Sequence, residues 1–264
     1  HLHSPKAEDP GALTQLQAES NPQQANSTNI SYDVGEKVKE DRVALIYNKH
    51  LSPSHKFFLT THLNRRLFEN KLPYTSGGRV EFERWAPGVE ARSIFDLKFF
   101  DRPGRLIVGA DLSFQSDDRK RFDNNNGTPG DKTLDRLETV QSIGQYLRTE
   151  WQWTPRLETV GGIRYDRVRF ELDDAFLDDG DQSDDQTFSE LSGTVGSIFH
   201  WNESMHLYAN VTTAFETPTT TELANDPNGG SGFNSDLKSQ YSVSYEVGFK
   251  RRPLKGPELD LALF

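Results

Sequence analysis

The stretch LYANVTTAFETPTTTELAN, residues 207–225, decides the fold. It opens in strict alternation. Leu207, Ala209, Val211, Thr213 and Phe215 fall on one side, and Tyr208, Asn210, Thr212, Ala214 and Glu216 on the other. A period of two puts successive side chains on opposite faces of a β-strand, here one face apolar and one wet. The strand then runs into Pro218 and a row of threonines, with no two-residue hairpin turn. A half-apolar strand that ends in a long polar connection has to be explained by what surrounds it.

The same period dominates from residue 41 onward. Val43, Leu45 and Tyr47 share a side, as do Phe57, Leu59, Thr61 and Leu63, then Leu106, Val108, Ala110, Leu112 and Phe114, and later Tyr241, Val243, Tyr245, Val247 and Phe249. About ten strands are predicted. Several exceed the roughly 5–6 residues usual in globular sheets and reach the roughly 9–11 that a tilted strand needs to cross a bilayer. The connections alternate in length. Short ones are 51–55, 101–104, 153–156, 201–204 and 251–257; long ones are 69–88, 119–136, 172–186 and 217–239. Tight turns on one side and long loops on the other are the rhythm of an antiparallel up-and-down transmembrane β-barrel. Phe99, Phe100, Trp151, Trp153, Trp201 and Phe249 gather beside the short turns, where an interfacial aromatic girdle belongs. Residues 1–40 are polar and aperiodic and are read as a leading segment, an outer loop, before a partial barrel domain at 41–264.

Composition agrees. The 264 residues are 34% hydrophobic and 27% charged, with a mean hydropathy of −0.73. Aromatic residues at 11% argue against disorder, which is poor in them. Apolar material spread this thinly suits a sheet with one dry face. A formal charge of −10 disfavours nucleic acid as a partner. The absence of cysteine excludes disulfides and thiolate metal sites. No run of 18 apolar residues exists, so no transmembrane helix is expected. The opening HLHSPKAEDPGAL lacks the basic-then-apolar order of a signal peptide.

Candidate chemistry is sparse. The acidic stretch DDAFLDDGDQSDD (173–185) invites a calcium reading, but with Gly180 at the sixth position of an EF-hand loop the first would be Ala175 and the twelfth Gln186. A solvated loop is the expectation. RFDNNNGTPGDKT (121–133) carries Asn-Gly and Pro-Gly dipeptides and reads as turn chemistry in an exposed loop. The seven histidines form no HExxH-type pattern, so no metal or cofactor is expected; His62, His200 and His206 have the parity of the wet face. That parity also carries Arg105, Asp111, Glu158, Arg164, Asp166, Glu216, Glu246 and Lys250, read as a lumen salt-bridge network. No nucleophile elbow, phosphate loop or isolated carboxylate pair appears, so no catalytic residue is named and no enzyme is expected.

The segment 207–250 resembles the barrel of TonB-dependent outer-membrane receptors. The residues that carry this are Phe215, Pro218, Glu222-Leu223, Asn234 to Lys238, and Tyr245-Glu246-Val247-Gly248-Phe249-Lys250, with GGIRYDRVRF (161–170) similar to a further family strand. The resemblance implies a receptor in the bacterial outer membrane that imports a scarce solute, most often a ferric siderophore. It also implies a 22-stranded barrel around a plug on which a TonB-type energy-transducing protein acts, in contact with outer-membrane lipid and lipopolysaccharide. No plug-like region or TonB box is read in this sequence, and ELDLALF (258–264) is expected to break off in mid-strand, leaving an incomplete barrel. The ligand-proximal loop is assigned to Phe215, Glu216, Thr217, Pro218, Thr219, Thr220, Thr221 and Glu222. A passive channel, a barrel enzyme and a soluble lectin-like module are the alternatives.

Overall fold

A computed structural model describes residues 1–225 and 231–264. Its described residues form one antiparallel sheet of eleven strands whose spatial order is the chain order. These are β1 (Leu2–Glu8), β2 (Gly35–Ser52), β3 (His55–Lys71), β4 (Arg79–Phe99), β5 (Arg102–Asn125), β6 (Thr128–Thr154), β7 (Leu157–Asp174), β8 (Asp184–Asn202), β9 (Met205–Glu216), β10 (Gln240–Arg251) and β11 (Leu259–Leu263). Three short helices sit in the connections: α1 (Gln15–Ser20), α2 (Ser27–Ser31) and α3 (Thr220–Leu223). Among the described residues β1 and β11 each have one neighbour, so the wall does not close. The all-β, up-and-down, incomplete barrel expected from the alternation is the fold observed.

Register aligns the apolar side chains of the alternating positions from strand to strand. Val43 faces Leu63 across β2–β3, Leu112 faces Ile143 across β5–β6, and Val211 stands between Val195 and Tyr245. From β3 to β10 the middle of this face carries no charged residue, the first being Arg102 and Arg251 at the inner strand ends; on β4 it reads Pro87, Val89, Ala91, Ser93, Phe95, Leu97, Phe99. Its large side chains, Val195, Val211, Tyr245 and Leu261 among them, are exposed. Side chains this apolar and this exposed need hydrocarbon for a neighbour, so this is the lipid face. The aromatic girdle lies at its inner edge, with Phe99 5.5 Å from Trp151 between ring centroids and Phe199 6.4 Å from Trp201. Gly104 lies under the Trp151 ring, where a Cβ would come within 2.0 Å of it.

The strands outlast the membrane, and there the pattern inverts. On β7 the lipid-face positions Ile163 and Tyr165 give way to Arg167, Arg169 and Glu171, while Val168, Phe170 and Leu172 bring apolar groups to the other face. On β4 the lipid-face parity continues outward as Glu83, Glu81 and Arg79. This outer surface is laced with ion pairs such as Arg65–Glu83 (2.8 Å) and Lys37–Glu69 (3.0 Å).

There are eleven strands among the described residues, in line with the expected ten or so. The inversion corrects several expectations. The predicted loop 69–88 shrinks to 72–78, because β4 begins at Arg79. The predicted loop 119–136 is a hairpin closed by Asn126 (φ 50) and Gly127 (φ 90), the left-handed pair that a type I′ turn requires. Pro129-Gly130 lies inside β6. The connection at 172–186 is 175–183, and the turn expected in 101–104 is made by Phe100 and Asp101 at positive φ. Within the leading 40 residues, Leu2–Glu8 is a strand paired with β2, and β2 itself starts at Gly35. Strand that has both faces polar does not carry the apolar period from which strands are read.

Arginine placed on the lipid face tests the orientation. Val211→Arg and Val243→Arg should each cost about 2–4 kcal/mol if they lie near the bilayer midplane. The measurement is the fraction of receptor recovered from outer membranes in its folded, heat-modifiable form. Normal assembly of both variants would refute the lipid face.

Candidate functional site

At the outer end a single side chain ties two connections and a hairpin turn together. Asn124, fully buried, donates from its amide to the carbonyls of Tyr32 (3.0 Å) and Leu72 (2.9 Å), and its own carbonyl accepts the Gly127 N–H at 2.8 Å. The Tyr32 and Thr75 hydroxyls meet at 3.1 Å. The 9–34 connection, the 72–78 connection and the β5–β6 turn therefore form one body.

The β9–β10 connection, 217–239, is held separately; its residues 226–230 lie outside the described set. Its anchor is Leu223, 0% exposed, set among Phe170, Leu172, Phe188 and Phe233. Phe170, Leu172 and Phe188 belong to the inverted, outer part of β7 and β8, so the loop folds back over the wet face there. Asp184 adds a polar tie by accepting the Phe233 N–H at 2.9 Å.

The eight residues assigned to the ligand-proximal loop divide. Glu216, Thr217, Pro218 and Glu222 line a cleft of about 440 Å³ together with Asn234 and Lys238. Phe215 stands opposite Tyr241 on the lipid-face parity and does not join them. Thr219 is the N-cap of α3: its hydroxyl accepts the Glu222 N–H (3.3 Å), and the Glu222 carboxylate accepts the Thr219 N–H (2.8 Å), a reciprocal capping box. Those donated bonds, the backbone one first, hold the Glu222 carboxyl below its ordinary range. Thr220 and Thr221 complete the helical turn.

The acidic connection spends its carboxylates on backbone amides. Asp174 accepts from Phe176 (3.0 Å) and Gln182 (3.1 Å), and Asp181 accepts from Ser183 (2.9 Å). Among the described residues no three His, Asp or Glu side chains gather as a metal cluster.

A feature that sequence reading missed lies on the wet face beneath these loops. Arg66, Arg84, Arg119, Arg121 and Arg136 come from four adjacent strands, β3 to β6, and share that face. Arg84 clasps Asp117 through two bonds of 2.7 and 2.6 Å, and Asp117 is 2% exposed. Glu138, 3% exposed, takes Arg136 at 2.6 Å and Arg119 at 3.7 Å. Phe68 and Phe82 stack at 4.9 Å, with Arg66 and Arg84 over their rings. The Nε atoms of Arg66, Arg119 and Arg121 are buried without a hydrogen-bond partner. The signal was available: Arg119, Arg121 and Arg136 all fall in the stretch read as loop, where parity was not applied.

The family model described as TonB dependent receptor-like, beta-barrel, matches residues 6–264. The chain belongs to this family. Its members are bacterial outer-membrane barrels, and the strand wall described above is part of one. Solved structures of similar fold include the ferric citrate transporter FecA (TM-score 0.78, 15% identity over 93% of this chain and 36% of that one). The ferric-catecholate import receptor Fiu of E. coli K12 follows at TM-score 0.69 and 14% identity, over 87% of this chain and 40% of that one. The alcaligin receptor FauA of Bordetella pertussis gives 0.66 and 13%, over 87% and 36%. The chain thus spans less than half the length of these receptors.

The anchor of the β9–β10 loop is open to test. Leu223→Ala should remove about 2–5 kcal/mol of docking free energy. Limited proteolysis of the detergent-purified receptor should then cut within 217–239 much faster, while the strands stay protected.

Proposed function

We propose that the complete protein is an active importer of an anionic metal chelate, a ferric siderophore in the first instance. Energy reaches it from a TonB-type protein acting on a plug, as the family implies. It is a transporter, without catalytic residues. The observation that carries the reading is the surplus of guanidinium on the wet face below the outer loops. Arg66, Arg84, Arg119, Arg121 and Arg136 outnumber Asp117 and Glu138, the carboxylates that pair with them. Partly dehydrated guanidinium groups with free N–H donors attract carboxylate, hydroxamate or catecholate oxygens in preference to neutral solutes. The stacked Phe68 and Phe82 add a flat apolar contact.

In this reading Glu216, Thr217, Pro218 and Glu222 form the rim through which the chelate enters, and lipopolysaccharide meets the ion-paired outer surface of β2 to β5. Deleting residues 219–232 should leave membrane assembly intact and reduce uptake of radiolabelled ferric chelate at least tenfold. Uptake at the full rate would reduce the loop to a structural cover. A growth panel of single ferric chelates, with Arg119→Ala and Arg121→Ala beside the native receptor, reads the substrate class. Equal growth of the variants on every anionic chelate would overturn the charge argument.

A further inference from the structure

At the opposite, inner end of the wet face, His200 on β8 and His206 on β9 stand directly across from each other, beside the Glu203-Ser204 turn. Their Nδ1 atoms are 2.7 Å apart, and the rings meet edge to face with centroids at 4.8 Å. Both rings are only partly buried. Glu158 on β7 places Oε1 3.2 Å from the far nitrogen, Nε2, of His200. We propose that this pair is a binding site for a late first-row divalent cation such as Zn²⁺, Ni²⁺ or Cu²⁺.

The chemistry follows from the donors. Two imidazole nitrogens that converge on one point share one proton when neutral, and they suit the metals that imidazole prefers. Zn–N bonds of about 2.0–2.1 Å at a tetrahedral angle set the nitrogens roughly 3.3 Å apart, so the pair has to open by roughly 0.6 Å. Side chains that are part-exposed on a wet face can do this by small χ rotations. Glu158 lies 3.2 Å from His200 Nε2, which is buried without a hydrogen-bond partner, so a small turn of the ring would make this carboxylate the partner behind a ligating histidine and strengthen the ring as a donor. Lys250, opposite His206 on β10, does not fill the gap: its ammonium lies 5.0 Å from the centre of the Tyr208 ring. The bound cation would cross-link β8 to β9 one residue before Trp201, at the inner edge of the membrane band.

The test is calorimetric titration of the complete receptor in detergent with Zn²⁺ and with Ni²⁺. One site is expected, lost in His200→Ala and in His206→Ala and weakened about 10–100-fold in Glu158→Gln. His62→Ala serves as control, because His62 shares the wet face but stands between Ala44 and Gly88, and it should bind as the native protein does. Should an alanine variant fail to assemble, the native receptor still decides the matter: its Cu²⁺ electron paramagnetic resonance spectrum should show coupling to two equivalent nitrogens. Full-stoichiometry binding in both alanine variants, or a Cu²⁺ spectrum without two nitrogen ligands, would overturn the proposal.

Discussion

Hydrocarbon offers no partner to a backbone N–H or C=O, and everything in this wall follows from that. Each strand from β2 to β10 has an antiparallel neighbour on both sides, so the ladder satisfies its backbone laterally, one strand to the next in chain order. Once the backbone is paired this way, only one face has to be apolar, and only over the thickness of the membrane. That is why 34% hydrophobic residues suffice for a fold of this size. It is also why the described residues hold so few buried apolar side chains. The lipid does the work that a core does in a soluble sheet.

The same constraint sets where the sequence could be read. Between Val43 and Tyr47, or between Leu207 and Phe215, one face is hydrocarbon-bound and the other wet, so the period of two is visible in residue types. Above the membrane both faces meet water or loops, and Arg79–Glu83, Arg119–Asn125 and Thr128–Arg136 are strand without looking like it. The Asn126-Gly127 turn was legible as turn chemistry, yet its hairpin was not, because the arms carry charges where apolar residues were sought. The candidate loop was legible in part. Glu216 and Pro218 line the cleft at the end of β9, because a strand exit is a local feature. Leu223 could not be assigned its partners, since Phe170, Leu172 and Phe188 lie far away in the chain and only the fold brings them under it.

The inversion of parity on β7 is the device that joins scaffold to site. Val168, Phe170 and Leu172 would be wasted on a lumen filled with water. They form an apolar pad, and the β9–β10 loop spends Leu223 and Phe233 on it. Apolar burial of this kind is non-directional, so it fixes that the loop lies over the wet face but not its orientation. Orientation comes from the directional contacts, Asp184 to the Phe233 N–H and the Thr219–Glu222 capping box. The outer connections near β1 to β6 take their orientation from the three hydrogen bonds of Asn124.

The wet face is divided by the same logic into a part where carboxylates are in excess and a part where guanidinium groups are. Midway along, Arg164 reaches Asp111 and Asp166 together, at 2.8 and 2.6 Å, so carboxylates outnumber the guanidinium there. Farther out, Asp117 and Glu138 are almost fully buried, and each is already committed to an arginine. A buried carboxylate left without its partner costs more than its pairing gains, so these two cannot be released to serve their other neighbours. Arg119 therefore shares Glu138 at a long 3.7 Å, and the Nε atoms of Arg66, Arg119 and Arg121 stay without acceptors. A fold that needed only stability would have matched these groups or replaced them with apolar ones. The anionic chelate proposed above would supply the acceptors that these N–H donors lack.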